Sequence, residues 1–252
     1  MPRPIFLSVL SVLVFVAATA TSGEVDPAQS EWYKKYKKQA NAPKPGDMLL
    51  NTDPEPDLSE GFSPLFDGKS LDGWTPKGGT CKFEIEGDSI IGTCVQGSNS
   101  TYLCTDAEFG DFVFSCELKW DVDCNSGVMF RAKTKPGKND SVTVYGPQGE
   151  MEGFARKDRG WSGGIYGQSC GGYFYPLWLV AHQDARTALK QDGWNRLTIS
   201  AKGNVVKTWV NGVPAAHWID DGTYSKGFFG LQIHKGDKGK VRFRNLIVKE
   251  ES

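Results

Sequence analysis

The 252-residue chain has almost no net charge, with 29 Lys and Arg set against 30 Asp and Glu. So even a balance offers no field that would collect nucleic acid or an anionic membrane surface, and a nucleic-acid partner is not expected. Phosphate-binding glycine loops are missing as well: there is no G-x-G-x-x-G after a strand and no P-loop, so no nucleotide cofactor is expected. H-E-x-x-H and C-x-x-C are also absent. Helical periodicity is scarce, its main stretch being "DARTALKQDG" near 184–193, and no internal repeat is found. The longest apolar run, "IFLSVLSVLVFVAA" from Ile5 to Ala18, falls short of the roughly 20 residues a membrane span needs. With Arg3 before it and Ala18-Thr19-Ala20 after it, it reads as a secretory signal over residues 1–20. A secreted or periplasmic protein with no membrane span after cleavage is expected.

All six cysteines follow that segment: Cys81, Cys94, Cys104, Cys116, Cys124 and Cys170. An even number in an exported chain suggests disulfides, although sequence alone leaves about 15 complete pairings open. "CKFEIEGDSIIGTC" reads as strand, Gly87-Asp88 turn, strand, which sets Cys81 opposite Cys94 within bridging reach. Cys104–Cys116 is the next local pair, leaving Cys124–Cys170.

What the chain does contain is β-forming and turn-forming material: eight Trp, 14 Phe, 30 Gly and 13 Pro. Residues 21–60 are polar and Pro-rich and read as a solvated segment, in which "EWYKKYKKQ" could form a short helix. From Gly61 the texture becomes alternating, and residues 61–252 read as one domain. In "FVFSCELKW", Phe112, Phe114, Cys116, Leu118 and Trp120 share one face; "SGVMFRAK" separates Val128 and Phe130 from Met129 and Arg131. Hairpin turns are signalled at Lys202-Gly203-Asn204 and at Asn211-Gly212. Many short strands joined by such turns predict an all-β sandwich or jelly roll of antiparallel sheets.

Strand parity also sorts the candidate functional residues. In "FFGLQIH", Phe229, Leu231 and Ile233 fit the core, which turns Gln232 and His234 to the outer face, a possible concave binding surface. The reference pKa of histidine lies near neutrality, so His234 could act as acid or base. Glu150 and Glu152, two apart in "GPQGEMEG", would project from one face about 6.5–7 Å apart. Paired carboxylates are the raw material of glycoside hydrolysis, and crowding raises one pKa. Trp161 and Tyr166, with Tyr173, Tyr175 and Trp178, could pack against sugar rings or fill the core. Arg131 could hold an anionic or carbonyl oxygen, or form an ion pair. Asn99-Ser-Thr and Asn139-Asp-Ser fit the N-glycosylation pattern.

"FSPLFDGKSLDGW", "EFGDFVFSCELKW", "NSGVMFR", "GPQGEMEG", "WSGGIYG", "GWNRLTISAKGN", "WVNGVPAAHWID", "GLQIHKG" and "VRFRNLIVK" occur in this order. Together they resemble the 3-keto-disaccharide hydrolase family over about Gly61 to Glu250. The resemblance implies a concanavalin-like jelly-roll sandwich and a carbohydrate substrate oxidised at C3 by a separate sugar oxidoreductase. It implies cleavage by C2 proton abstraction, β-elimination and hydration. The acid–base roles then fall to Glu150, Glu152 and His234, with Glu152 favoured because relatives often carry another residue at the Glu150 position. Arg131 becomes the enolate or substrate clamp, while Gln148 and Gln232 bond hydroxyls. Two carboxylates and a His could also hold a divalent cation as the enolate stabiliser. "YGQSCGGYFYP" departs from the acidic and basic residues common after "WSGGIY" in relatives, which changes the cleft rim. The alternatives are a non-catalytic lectin-like module on the same fold and a concanavalin-like β-glucanase. Phe154, where a glucanase would carry a third acid, counts against the latter.

Overall fold

A computed structural model describes residues 23–137, 141–156 and 158–251. The expected signal segment, residues 1–20, and Asn139 of the second glycosylation motif lie outside the described residues.

Two antiparallel sheets face each other. The first carries, in spatial order, β13 (Val213–Ile219), β12 (Val205–Val210), β11 (Asn195–Lys202), β6 (Phe112–Val122), β15 (Lys240–Glu250), β4 (Ser89–Thr93) and β3 (Lys82–Glu86). The short β1 (Ser63–Pro64) pairs with β15 off this path. The second sheet runs β10 (Gly172–Tyr175), β9 (Ile165–Gln168), β8 (Val142–Met151), β7 (Ser126–Pro136), β14 (Phe228–Ile233), β5 (Thr101–Thr105) and β2 (Trp74–Gly78). The expected all-β sandwich is what forms. Its core follows the alternation read from sequence: Phe112, Phe114, Cys116 and Leu118 of β6 meet Phe229, Leu231 and Ile233 of β14. Phe229 stacks on Phe114 at 4.5 Å between ring centroids. The predicted hairpins form in the expected registers, Glu86 opposite Ser89, Lys202 opposite Val205 and Val210 opposite Val213. Asn211 and Gly212 both have positive φ, 52° and 85°, as a two-residue type I′ turn requires. Among the described residues, α-helix is confined to two short pieces, α1 (Ser30–Tyr36) and α2 (Gln183–Thr187), with four single 3-10 turns besides.

Three expectations are corrected. First, residues 23–60 are not a solvated linker, because their apolar side chains have a place on the sandwich. Trp32, Tyr33 and Tyr36 of α1 pack on the core, and the Tyr33 ring meets Trp178 edge-on at 5.0 Å. Trp161 Nε1 donates to Gln29 Oε1 at 2.8 Å, and Trp178 Nε1 to Met48 Sδ at 3.1 Å.

Second, all six cysteines are free thiols. Cys104 and Cys116 cannot pair across the local strands: Cys104 belongs to a small cluster with Tyr102 and Met129, whereas Cys116 lies in the main core. Cys124 and Cys170 are also apart. Cys124 shares Gly239 with Cys94, while Cys170 Sγ donates to Gln168 O at the β9–β10 turn. Cys81 and Cys94 do lie opposite each other, one step beyond the Lys82–Thr93 pair, with their thiols in mutual contact.

Third, strict alternation fails in β7. Between Met129 and Lys133 the strand carries one residue more than β8 opposite it, and the same excess stands against β14. Such a bulge re-aims side chains. Arg131 takes up the excess, with φ 46°. Its guanidinium donates to Gly110 O at 2.8 Å, Gly203 O at 2.7 Å and Tyr224 O at 3.1 Å, and pairs with Asp111 at 2.8 Å.

Candidate functional site

A cavity of about 850 Å³ lies on the outer face of the second sheet. This is within the usual range for small-ligand sites, about 300–1,000 Å³. Its floor follows from register. Gln148 of β8 stands opposite Tyr166 of β9, and Tyr166 opposite Tyr173 of β10. One step along, Glu150 is opposite Gly127 of β7, Gly127 opposite Gln232 of β14, and Gln232 opposite Tyr102 of β5. Gln148, Glu150, Tyr166, Tyr173, Tyr102 and His234 all line the cavity.

Glu150 is 2% exposed. Its carboxylate accepts from Asn125 Nδ2 and from Gln148 Nε2, each at 2.8 Å. Burial, then the charge of Glu152, pushes its pKa up to about 7 against the opposing pull of Arg159 and of the two amides. The carboxyl is therefore poised to exchange a proton near neutrality. Gln148 Nε2 also donates to Gln232 Oε1 at 3.1 Å, and Gln232 Nε2 to the Tyr102 hydroxyl at 3.2 Å. Burial raises the Tyr102 pKa, so the phenol keeps its proton. Gln148 Oε1 and Asn125 Oδ1 are buried acceptors without a protein donor. Buried acceptors of this kind are normally satisfied, so the pair suits a ligand rich in hydroxyl donors.

Gly127 makes room for this network. A Cβ there would stand 2.7 Å from Gln148 Nε2 and 2.6 Å from Gly149 O. Gly127→Ala is expected to cost about 1–3 kcal/mol, as overpacked sites do. It should also displace Gln148 from Glu150, to be read as a lowered Tm together with loss of ligand affinity.

The remaining expected site residues are placed otherwise. Glu152 is 2% exposed and does not line the cavity; its carboxylate is paired with Arg159 and accepts from Trp161 N at 3.0 Å. Trp161 is fully buried in the core and does not line the cavity. Gln232 does not line the cavity and is linked to it through Gln148 and Tyr102. Arg131 is committed to the carbonyls described above and is not among the lining residues. Arg131→Lys should therefore lower stability by about 1–3 kcal/mol through lost hydrogen bonds while leaving ligand affinity unchanged, a pairing that thermal unfolding and titration can check.

The guanidinium that does line the cavity is Arg159, which strand pattern could not reveal because it lies in a turn after β8. Its Cζ lies 5.1 Å from the Trp161 ring, 5.2 Å from Trp32, 5.5 Å from Tyr36 and 5.6 Å from Tyr173. Its Nη1 donates to the Tyr36 hydroxyl at 2.7 Å. Tyr36 and Asn125 are likewise absent from the sequence-based set. Tyr36 sits in a segment without strand alternation, and Asn125 lies in the irregular stretch between β6 and β7.

The donor set does not fit the cation that the two acids and His234 could have held. Both oxygens of Glu152 are taken by Arg159 and Trp161, and both of Glu150 by amide donors. Among the described residues no group of three or more His, Cys, Asp or Glu is arranged for a metal. No helix among them is long and apolar enough to cross a membrane.

Two crystal structures of proteins from Parabacteroides distasonis ATCC 8503, each described as a "putative glycosyl hydrolase", resemble the chain in fold. One has TM-score 0.55 and 18% identity, covering 79% of this chain and 100% of that one. The other has TM-score 0.50 and 20% identity, covering 76% and 100%. The carbohydrate-binding module CBM66 from Bacillus subtilis aligns with TM-score 0.47 and 18% identity over 71% of this chain and 96% of the module. At these identities the likeness concerns the fold alone. No curated protein matches in sequence. Residues 61–249 match the family model of the 3-keto-alpha-glucoside-1,2-lyase-like domain, and the chain belongs to that family.

Proposed function

We propose that this protein cleaves glycosides whose sugar ring carries a ketone at C3, with Glu150 as the proton-transfer group. A C3 ketone acidifies the C2–H bond. The Glu150 carboxylate takes that proton, the C2–H electron pair becomes the C1=C2 double bond, and the C1–O bond breaks with its electrons leaving on the aglycone oxygen. The protonated Glu150 or His234 returns a proton to that oxygen. Water then adds across C1=C2, its oxygen to C1 and a proton to C2, so that 3-keto-glycoside plus water yields 3-keto-sugar plus alcohol. Neutral amides and Arg159 beside the cavity would stabilise the enolate. The observation that carries this reading is Glu150 itself, a buried carboxyl opening onto the cavity with its pKa near 7.

The substrate requires a prior oxidation at C3, so a separate sugar oxidoreductase would act upstream. Export through residues 1–20, to the periplasm or beyond, belongs to the same proposal. In an oxidising compartment Cys81 and Cys94 would join as a disulfide, since their register already brings the thiols together.

A second reading is a carbohydrate-binding module. The unpaired acceptors of Gln148 and Asn125 favour it, because they can recognise hydroxyls without turnover. Incubating the protein with 3-keto-trehalose, a 3-keto-β-glucoside and the unoxidised sugars separates the two. Release of 3-keto-glucose from the oxidised forms alone supports the lyase reading. Binding without release leaves the module, and cleavage of plain glucans overturns both.

A further inference from the structure

We propose that residues 23–60 form a wall at one end of the cavity and that Tyr36 determines which saccharides fit. This rests on the carbohydrate reading above. The segment lies outside the residues matched by the family model, yet it supplies a lining residue of the cavity.

The wall is built on β10, the outermost strand at that end of the sheet. Gln39 Oε1 accepts from Tyr173 N at 3.1 Å, and Asn41 Nδ2 donates to Cys170 O. Gly172 permits this approach: its φ is 126°, and a Cβ there would lie 2.2 Å from Gln39 Oε1. Tyr36 then stands edge-on to Tyr173 with centroids 5.3 Å apart, and meets Trp161 at 5.3 Å. Because Arg159 donates to the Tyr36 oxygen, the ring is held at both its edge and its hydroxyl. An edge strand otherwise left bare is covered, and the cavity meets an aromatic wall.

Glu150 is placed asymmetrically with respect to that wall. From β8, two strands (β9 and β10) lie toward Tyr36, and four (β7, β14, β5 and β2) lie the other way. At about 4.8 Å per strand, this gives about 10 Å on the walled side and about 19 Å on the other. Because Tyr36 and Arg159 pack on Tyr173, the walled side leaves room for no more than one sugar ring, beside Tyr166. The rest of the ligand runs away from Tyr36, either toward His234, Asn99 and Lys235 or along β8 and β9 toward Val142, Val144 and Gln168, all of which line the cavity. The ring attacked at Glu150 is thus a terminal one, its aglycone lies away from Tyr36, and a saccharide extended toward the wall beyond the attacked ring collides with Tyr36.

The test compares a 3-keto-disaccharide with a trisaccharide carrying an additional glucose on O4 or O6 of the oxidised ring, by kcat/KM and by equilibrium binding. Wild type should strongly prefer the disaccharide. Tyr36→Ala should reduce that preference by about tenfold or more, the scale of discrimination set by one packing contact. Tyr36→Phe, which keeps the wall but loses the hydroxyl, should retain it. If Tyr36→Ala fails to fold, Tyr36→Leu makes the same comparison. Equal use of both ligands by wild type, or unchanged preference in a folded truncation variant, overturns the inference while leaving the carbohydrate reading intact. If wild type neither binds nor cleaves either ligand, that reading falls, and this one with it.

Discussion

Glu150→Gln is expected to lower kcat/KM on a 3-keto-glycoside by about 10²–10⁴, the usual contribution of a positioned acid–base group. It should also make the protein more stable in alkaline buffer. The two effects share one cause. Folding withdraws Glu150 from water, so the folded state holds its proton up to pH about 7, whereas the ordinary carboxyl value is 4.5. Between these values the folded state binds more protons than the unfolded state. Stability contributed by this group is therefore complete below pH 4.5, falls as pH rises through the window, and is gone above 7. The loss amounts to roughly 3 kcal/mol at about 1.4 kcal/mol per unit. Glutamine has no charge to desolvate, and its amide can donate to the unpaired Gln148 Oε1. The variant should match wild type near pH 4.5 and exceed it by that amount at pH 8, as chemical denaturation at both values would show. Wild-type activity should rise with pH through an inflection near 7 as the carboxylate forms. An activity curve flat from pH 5 to 9, or a stability difference independent of pH, would remove Glu150 from its assigned part.

Arg159→Met is expected to cost about 3–5 kcal/mol, because it leaves Glu152 buried without its partner. In a domain of this size that corresponds to a Tm lower by roughly 10 °C. Combining it with Glu152→Gln should recover most of the loss, since neither charge then remains unpaired. A double-mutant cycle measured by thermal unfolding would show this as strong non-additivity. The same variants carry an electrostatic signature at the neighbouring acid. Arg159 lowers the Glu150 pKa and Glu152 raises it. The inflection in the activity profile should accordingly move up in Arg159→Met and down in Glu152→Gln. Additive stabilities together with an unmoved inflection would show that the pair is neither coupled nor felt at Glu150. Glu152 is in this account a positioning residue that sets the proton affinity of its neighbour, in place of the acid–base role that strand spacing suggested for it.

The sequence by itself determined the sandwich, because alternation in β6 and β14 and the Asn211-Gly212 turn are local properties that burial enforces residue by residue. It also determined that Gln232 and His234 turn away from their core neighbours Leu231 and Ile233, and that Glu150 and Glu152 share a face of their own strand; that β8 and β14 lie in one sheet came from the tertiary structure. Where parity held, expectation and structure agree. Only the tertiary structure decided the rest. A one-residue bulge took Arg131 off its expected face, and nothing in "SGVMFRAK" marks where the ladder would slip. Glu150 and Glu152 look equivalent along the chain, but Arg159, folded back from a turn, neutralises one and leaves the other facing the cavity. Tyr36 reaches that cavity from a segment with no strand pattern, carried there by contacts between residues more than a hundred positions apart. Periodicity specifies which way a side chain points from its own strand. Which charge it meets depends on how distant segments pack, and that is set by the whole fold.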